Sequence, residues 1–347
     1  MDIANAYAVV GGVIFGILLL LLLWLTQRSA VPSQLRSLRG KHVLITGGST
    51  GIGFHIARRC AKEGAYLTLI ARTPSKLEEA RSLLTSSLSL PLDSVSLKAV
   101  DVSDSEALTS AIKESFEWRP IDVLVCCAGI AVPGIFDETK LINLQQATNT
   151  NLLGCVYAIH AAIPLMKTRT RQQPSSIVIV GSLSGMIGLY GSSMYTVTKF
   201  ALKGLAELLR FELLPWNIYV THVCPGFTDT PMHIEVMKMT HLVRLVEKLY
   251  FMNMNVVESP DEVAKLAIEG MKRGQYLVTT TFNGFFLRVL SRGFVPAESI
   301  TAFVAELLLT VPMRIFSLLW VIHAKWFLRK QDVHSPKQNG FCANMSS

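Results

Sequence analysis

Between residues 41 and 281, seven short runs rich in β-branched and aliphatic residues alternate with longer stretches of helical periodicity. The runs are HVLIT (42–46), YLTLIA (66–71), VSLKAV (95–100), IDVLVC (121–126), SIVIVG (176–181), IYVTHV (218–223) and YLVTT (276–280). Helical patterns cover 51–63, 75–86, 104–116, 138–168 and 193–214. Nearly continuous apolar strands with helical crossovers predict a parallel sheet covered on both faces. That is an α/β, doubly wound sheet, the Rossmann fold, which binds ligands at the carboxyl ends of its strands. The expected division is an N-terminal anchor and linker (1–40), a Rossmann domain (41–281), an apolar membrane-associated segment (282–330) and a polar, disordered tail (331–347).

The first strand runs into Thr46-Gly47-Gly48-Ser49-Thr50-Gly51-Ile52-Gly53. This is neither the G-x-G-x-x-G pattern nor the G-x-x-x-x-G-K-S/T loop, but it uses the same physics. Gly47, Gly51 and Gly53 let backbone approach a pyrophosphate, and the following helix turns its free N–H groups toward the anion. An acid after the second strand would hold the ribose hydroxyls of NAD; the chain has Arg72 there and Lys76 next, which suits the additional phosphate of NADP. Asp101, after the third strand, is placed to meet the adenine. Plain surface exposure is the alternative for Arg72 and Asp101.

Tyr195 and Lys199 stand at i and i+4 of a helical stretch and share a face. With 8 Tyr and 33 Lys plus Arg in the chain, such a pair arises by chance, so its surroundings decide. Ser182 lies just past the fifth strand, and Asn151 in the helix before that strand. A phenol, with its pKa near 10, is a poor acid at neutral pH, and an adjacent ammonium lowers that pKa. Tyr195 can then give a proton to a carbonyl oxygen as hydride reaches the carbon. Ser182 would hold the same oxygen, Lys199 would also bind the nicotinamide ribose, and Asn151 would hold a water that relays protons to Lys199.

TGGSTGIG, the Ala128-Gly129 pair, Asn151, Ser182, YTVTK and Pro225-Gly226 resemble, in order and spacing, the short-chain dehydrogenase/reductase family. The family's usual Asn-Asn before Ala-Gly is Cys126-Cys127 here. A narrower resemblance, carried by the N-terminal apolar run, GGSTGIG, LIARTPSKLEEA, the segment from Lys199 to Pro231 and the apolar C-terminal segment, is to the 3-ketodihydrosphingosine reductases. It implies reduction of 3-ketodihydrosphingosine (3-oxosphinganine) with NADPH at the endoplasmic reticulum membrane, catalytic domain facing the cytosol, in sphingolipid biosynthesis. It also implies cofactor contacts from Gly47, Ser49, Thr50, Gly51, Arg72, Lys76, Asp101, Tyr195 and Lys199. That family's usual Ser at 181 is Gly181, which leaves Ser182 to serve.

Residues 7–26 carry no charge and are long enough to cross a bilayer. Arg28, Arg36, Arg39 and Lys41 follow with no acid among them, which predicts a retained anchor rather than a cleaved signal, with the body in the cytosol. At 300–328 a second apolar stretch is broken by Glu306, Pro312 and Arg314. It reads as a re-entrant hairpin or an interfacial helix pair, with buried helices or an oligomer face as alternatives. Charged residues make up only 17% of the chain and the net charge is +8, a balance that fits membrane lipids. No basic run with interleaved aromatics marks nucleic-acid binding. The 6 cysteines form no CxxC pair and read as reduced, buried thiols. No His spacing suits a metal.

Methionines 232, 237, 239, 252 and 254 fall in 230–256, which reads as a mobile cover for an alkyl chain or as an ordinary amphipathic helix. The expected partners are thus a long-chain keto-lipid, membrane lipids and a further copy of the chain. The competing readings are a membrane-bound steroid or retinoid dehydrogenase and a non-catalytic NADPH-binding scaffold.

Overall fold

A computed structural model describes residues 11–13, 15, 16, 35–89, 91–168, 173–291 and 300–330. The seven expected strands all form: β1 (His42–Thr46), β2 (Tyr66–Ala71), β3 (Val95–Ala99), β4 (Val123–Cys126), β5 (Ser175–Val180), β6 (Ile218–Cys224) and β7 (Leu277–Thr279). They pair in parallel in the order β3-β2-β1-β4-β5-β6-β7. The order reverses between β1 and β4, so a crevice opens above their carboxyl ends.

The period-2 alternation of each strand feeds two cores. Leu44, Ile70, Leu124, Ile177 and Ile179 face one side, with Leu108 and Ile112 of α3 (Ser105–Trp118), Ile159 of α5 (Gly154–Lys167) and Leu202 and Ala206 of α6 (Ser193–Glu212). Val43, Ile45, Leu67, Leu69, Val123, Val125, Val178 and Val180 face the other. There they meet Ile56 and Cys60 of α1 (Gly51–Lys62), Leu77 and Leu84 of α2 (Pro74–Leu88) and Ala264 and Ile268 of α9 (Pro260–Lys272). Each such side chain, fully withdrawn from water, contributes about 1.5–3 kcal/mol. Polar residues set the helix starts. The Asp104 carboxylate accepts from the amides of Glu106 and Ala107 at 3.1 and 3.0 Å to cap α3. Ser259 caps α9, with Pro260 at its first position.

The expected helix over 138–168 is not continuous. It consists of α4 (Leu141–Ala147), a π-helical turn (Thr148–Leu153) and α5. A π turn carries one extra residue per turn and has poorer hydrogen-bond geometry. Here it brings Asn151 inside, where two side-chain hydrogen bonds offset that cost.

After β6 come α7 (Pro231–Met237) and α8 (Thr240–Tyr250), and after β7 come α10 (Phe282–Ser291) and α11 (Ile300–Lys330). The broken apolar segment expected at 300–328 is in fact one helix of 31 residues that runs through Pro312. Proline removes a single backbone donor, and the aliphatic residues on both sides keep the remaining ladder intact. α11 is also not a buried closing helix, because Leu307, Leu308, Val311, Phe316 and Leu319 are exposed. Among the described residues it is the one helix long and apolar enough to cross a membrane. The run at 7–26, apart from residues 11–13, 15 and 16, lies outside the described residues, and the anchor expected there lies outside with it. So does the tail from 331 onward.

Candidate active site

The glycine loop leaves β1 and turns into α1 directly above the crevice. Gly47 has φ +69°, and a Cβ there would lie 2.8 Å from the backbone of Ala128. A Cβ on Gly53 would lie 2.2 Å from the Gly47 carbonyl, so glycine lets α1 start against the loop. The amide of Gly47 donates to the Ile70 carbonyl at 2.8 Å, which ties the loop to the end of β2 two residues before Arg72. Thr46 was missed from sequence. Its hydroxyl accepts from the amides of Cys127 and Ala128 at 3.2 and 3.4 Å and so joins the β1 and β4 ends across the crevice. A threonine closing a buried strand was the available signal. The Thr46 hydroxyl and the backbone amides make this tie without the Cys127 side chain, so the strand ends are joined although Cys127 stands where the resembled family has asparagine.

Arg72, just past β2, and Lys76, in the first turn of α2, are exposed, and Arg72 pairs with Asp101 at 3.8 Å. Asp101 also accepts from the Ser103 amide and hydroxyl. The ends of β2 and β3 are thus joined by the Arg72–Asp101 pair. A cradle of glycine backbone beside a helix N-terminus fits the pyrophosphate of a dinucleotide.

On the other side of the crevice, Lys199 is 5% exposed and its Nζ donates to the Val180 carbonyl at 3.0 Å. The same Nζ lies 5.4 Å from the centre of the Tyr195 ring. Ser182 follows Val180 by two residues and caps a 3₁₀ turn (Leu183–Gly185), its Oγ accepting from the Ser184 amide at 3.1 Å. That turn packs on α6; a Cβ on Gly185 would lie 2.6 Å from the Lys199 carbonyl. The π turn packs on α6 as well. Asn151 is 1% exposed, donates to the Ile130 carbonyl at 2.9 Å and accepts from the Ile130 amide at 2.7 Å. Its amide therefore holds the loop after β4 and keeps one hydrogen and one lone pair for other partners. Tyr195, Lys199, the Ser182 turn and the Asn151 turn are thus assembled around one helix.

Gly181 has a physical reason of its own. A Cβ there would lie 2.2 Å from Nε2 of His222, a ring with no exposed surface. The His222 ring contacts the Cys224 thiol at 3.7 and 3.8 Å. Burial, then the charges of Lys199 and Lys203, push its pKa down to about 3, so it is neutral beneath the site. Burial likewise pushes the Cys127 thiol up to about 11, and Cys60 and Cys224 up to about 12.

A parallel sheet with a glycine cradle at its reversal point, beside a serine past β5 and a Tyr/Lys pair on α6, defines a dinucleotide-dependent oxidoreductase. The short chain dehydrogenase family matches residues 41–241, and the chain belongs to it. It is 37% identical over 289 residues to 3-dehydrosphinganine reductase of Danio rerio, covering 83% of this chain and 85% of that protein. It is also 37% identical over 284 residues to 3-ketodihydrosphingosine reductase of Mus musculus, covering 81% and 83%. Among solved structures, a short-chain dehydrogenase from Sphingobium yanoikuyae in complex with NADPH superposes with a TM-score of 0.59 at 25% identity, over 70% of this chain and 88% of that one. The protein is an oxidoreductase that uses a nicotinamide cofactor.

Proposed function

We propose that this protein reduces 3-ketodihydrosphingosine to dihydrosphingosine with NADPH, on the cytosolic face of the endoplasmic reticulum membrane. The observation that carries the chemistry is Lys199, buried, held on the Val180 carbonyl and 5.4 Å from the Tyr195 ring. The substrate class rests on the similarity to reductases that carry that name and on the exposed apolar helix α11.

When bound, the reduced nicotinamide supplies hydride to the carbonyl carbon. The protein must then manage one oxygen and one proton. In this reading Ser182 donates a hydrogen bond to the carbonyl oxygen and fixes its position. Tyr195 gives the same oxygen its proton as negative charge builds there. The Lys199 ammonium stabilises the phenolate left behind and holds the nicotinamide ribose. The remaining hydrogen-bonding capacity of Asn151 holds the water through which the proton is restored. Gly47, Ser49, Thr50, Gly51 and Gly53 cradle the pyrophosphate, Asp101 meets the adenine, and Arg72 with Lys76 takes the 2′-phosphate.

The test is cofactor oxidation by membranes carrying the full-length protein, with 3-ketodihydrosphingosine as substrate. We expect turnover with NADPH, its loss in Tyr195→Phe, and in Arg72→Ala a rise in KM for NADPH of at least about tenfold with little change for NADH. Turnover of a steroid or retinoid instead of the long-chain ketone would refute the substrate. Equal effects of Arg72→Ala on both cofactors would refute the NADPH assignment.

A further inference from the structure

The segment after β6 covers the site, and α11 braces it. Met232 of α7 reaches to 3.8 Å from where a Cβ on Gly129 would lie. Leu242 of α8 presses on the backbone of Gly191, whose φ is +72°; a Cβ there would sit 2.3 Å from its methyl. Val243, Val246 and Met254 form a small separate core with Leu189. At the C-terminal end of α8, Tyr250 closes the arrangement. Its hydroxyl donates to the Gly188 carbonyl at 2.7 Å and accepts from the Tyr190 amide at 2.9 Å. Those two bonds pin residues 188–190, the stretch that leads into α6 and Tyr195.

Tyr250 is itself held from the far side. The Trp320 ring of α11 lies 5.3 Å from the Tyr250 ring, and its Nε1 donates to the Leu249 carbonyl at 3.1 Å. One turn on, the His323 ring lies tilted against Phe251, their centres 4.5 Å apart. The apolar helix thus reaches the loop before the acid–base pair through one tyrosine. Burial pushes the Tyr250 phenol up, which keeps it protonated and able to donate to Gly188.

We propose that Tyr250 is a positioning residue for the reduction and that α11 holds it in place through Trp320. Resting on the function proposed above, this makes the apolar helix part of the catalytic apparatus as well as a membrane contact. Without the Tyr250 clamp the loop at 188–190 relaxes, and the Tyr195 hydroxyl loses its fixed angle to the carbonyl oxygen. Small misplacements of this kind cost rate rather than cofactor affinity.

The experiment uses the full-length protein in lipid nanodiscs, with 3-ketodihydrosphingosine and NADPH. Tyr250→Phe keeps the ring and removes the clamp; we expect kcat to fall about tenfold while KM for NADPH stays within about twofold. Trp320→Ala should lower kcat in the same way, and Trp320→Phe, which keeps the ring contact, should restore most of it. The double variant Tyr250→Phe with Trp320→Ala should be no worse than Tyr250→Phe alone, because both act through one clamp. Hydrogen exchange at the Tyr190 amide reads the same clamp with no substrate present and should speed up in Tyr250→Phe and Trp320→Ala. An unchanged kcat in Tyr250→Phe overturns the proposal, as does a KM for NADPH that rises in step with the loss. Additive effects in the double variant overturn the brace from α11. If the parent protein turns over no 3-ketodihydrosphingosine, the function fails separately, and unchanged Tyr190 exchange would then sink the clamp on its own.

Discussion

At the scale of single residues, His222 shows how the floor of the site is built. Its neutral ring fills the space that a side chain at Gly181 would need, against Cys224 and near Lys199 and Lys203. A histidine with a folded pKa near 3 takes up a proton more readily once unfolded, where its pKa is about 6.5. Between those values the unfolded chain binds more protons, so stability falls as pH drops below about 6.5 and levels off near 3. His222→Gln should flatten that part of the stability–pH curve. Urea midpoints at pH 7.5 and 5 measure it, and an unchanged slope would contradict the account. Little of this was visible in the sequence. From sequence, His222 is only a histidine without metal-like spacing, and its closeness to Gly181 joins neighbouring strand segments far apart in the chain. The grouping of Tyr195, Lys199 and Ser182 could be read because an i, i+4 pair on a helix and a serine just past a strand are local patterns. Thr46 was not, because its work is done across the crevice on the amides of Cys127 and Ala128.

At the scale of elements, the junction of β1 and α1 is the most constrained. α1 begins where the Gly53 backbone touches the Gly47 carbonyl, so a single methyl would push the helix off the loop. Overpacking of this kind costs about 1–3 kcal/mol. Gly53→Ala should therefore raise KM for NADPH by roughly tenfold or more, with a smaller effect on kcat at saturating cofactor. Titration of cofactor fluorescence checks it, and unaltered binding would show that the helix start does not set the cradle. The strands were readable from their apolar runs, and β1, β2, β3 and β6 begin where the pattern places them. The π turn was not readable. A periodicity of 3.6 residues passes through 148–153 without a visible break, and the wider turn is held by the Asn151 bonds to Ile130.

At the scale of the whole molecule, the sheet and α11 answer to different solvents. The sheet buries its apolar faces on both sides, whereas α11 exposes Leu308, Val311, Ile315, Leu319 and Ile322. A helix of 31 residues is about 46 Å long, more than the roughly 30 Å of a hydrocarbon core. The full-length protein should stay with membranes through an alkaline carbonate wash. Lipids brominated on the acyl chain should quench a component of the tryptophan fluorescence that Trp326→Phe removes. Release into the supernatant, or quenching indifferent to that substitution, would count against membrane contact by this helix. Sequence reading failed here because it treated Pro312 and Arg314 as breaks. Aliphatic neighbours on both sides carry the helix through them.

The buried thiols have a practical consequence. Cys60, Cys126, Cys155 and Cys224 are enclosed, and Cys127 sits partly open at the crevice between Thr46 and Ala128. A water-soluble maleimide can react with the enclosed four only when the fold opens, which makes them a built-in clock for unfolding. Cys127 is placed to report a different event, the opening of the crevice itself.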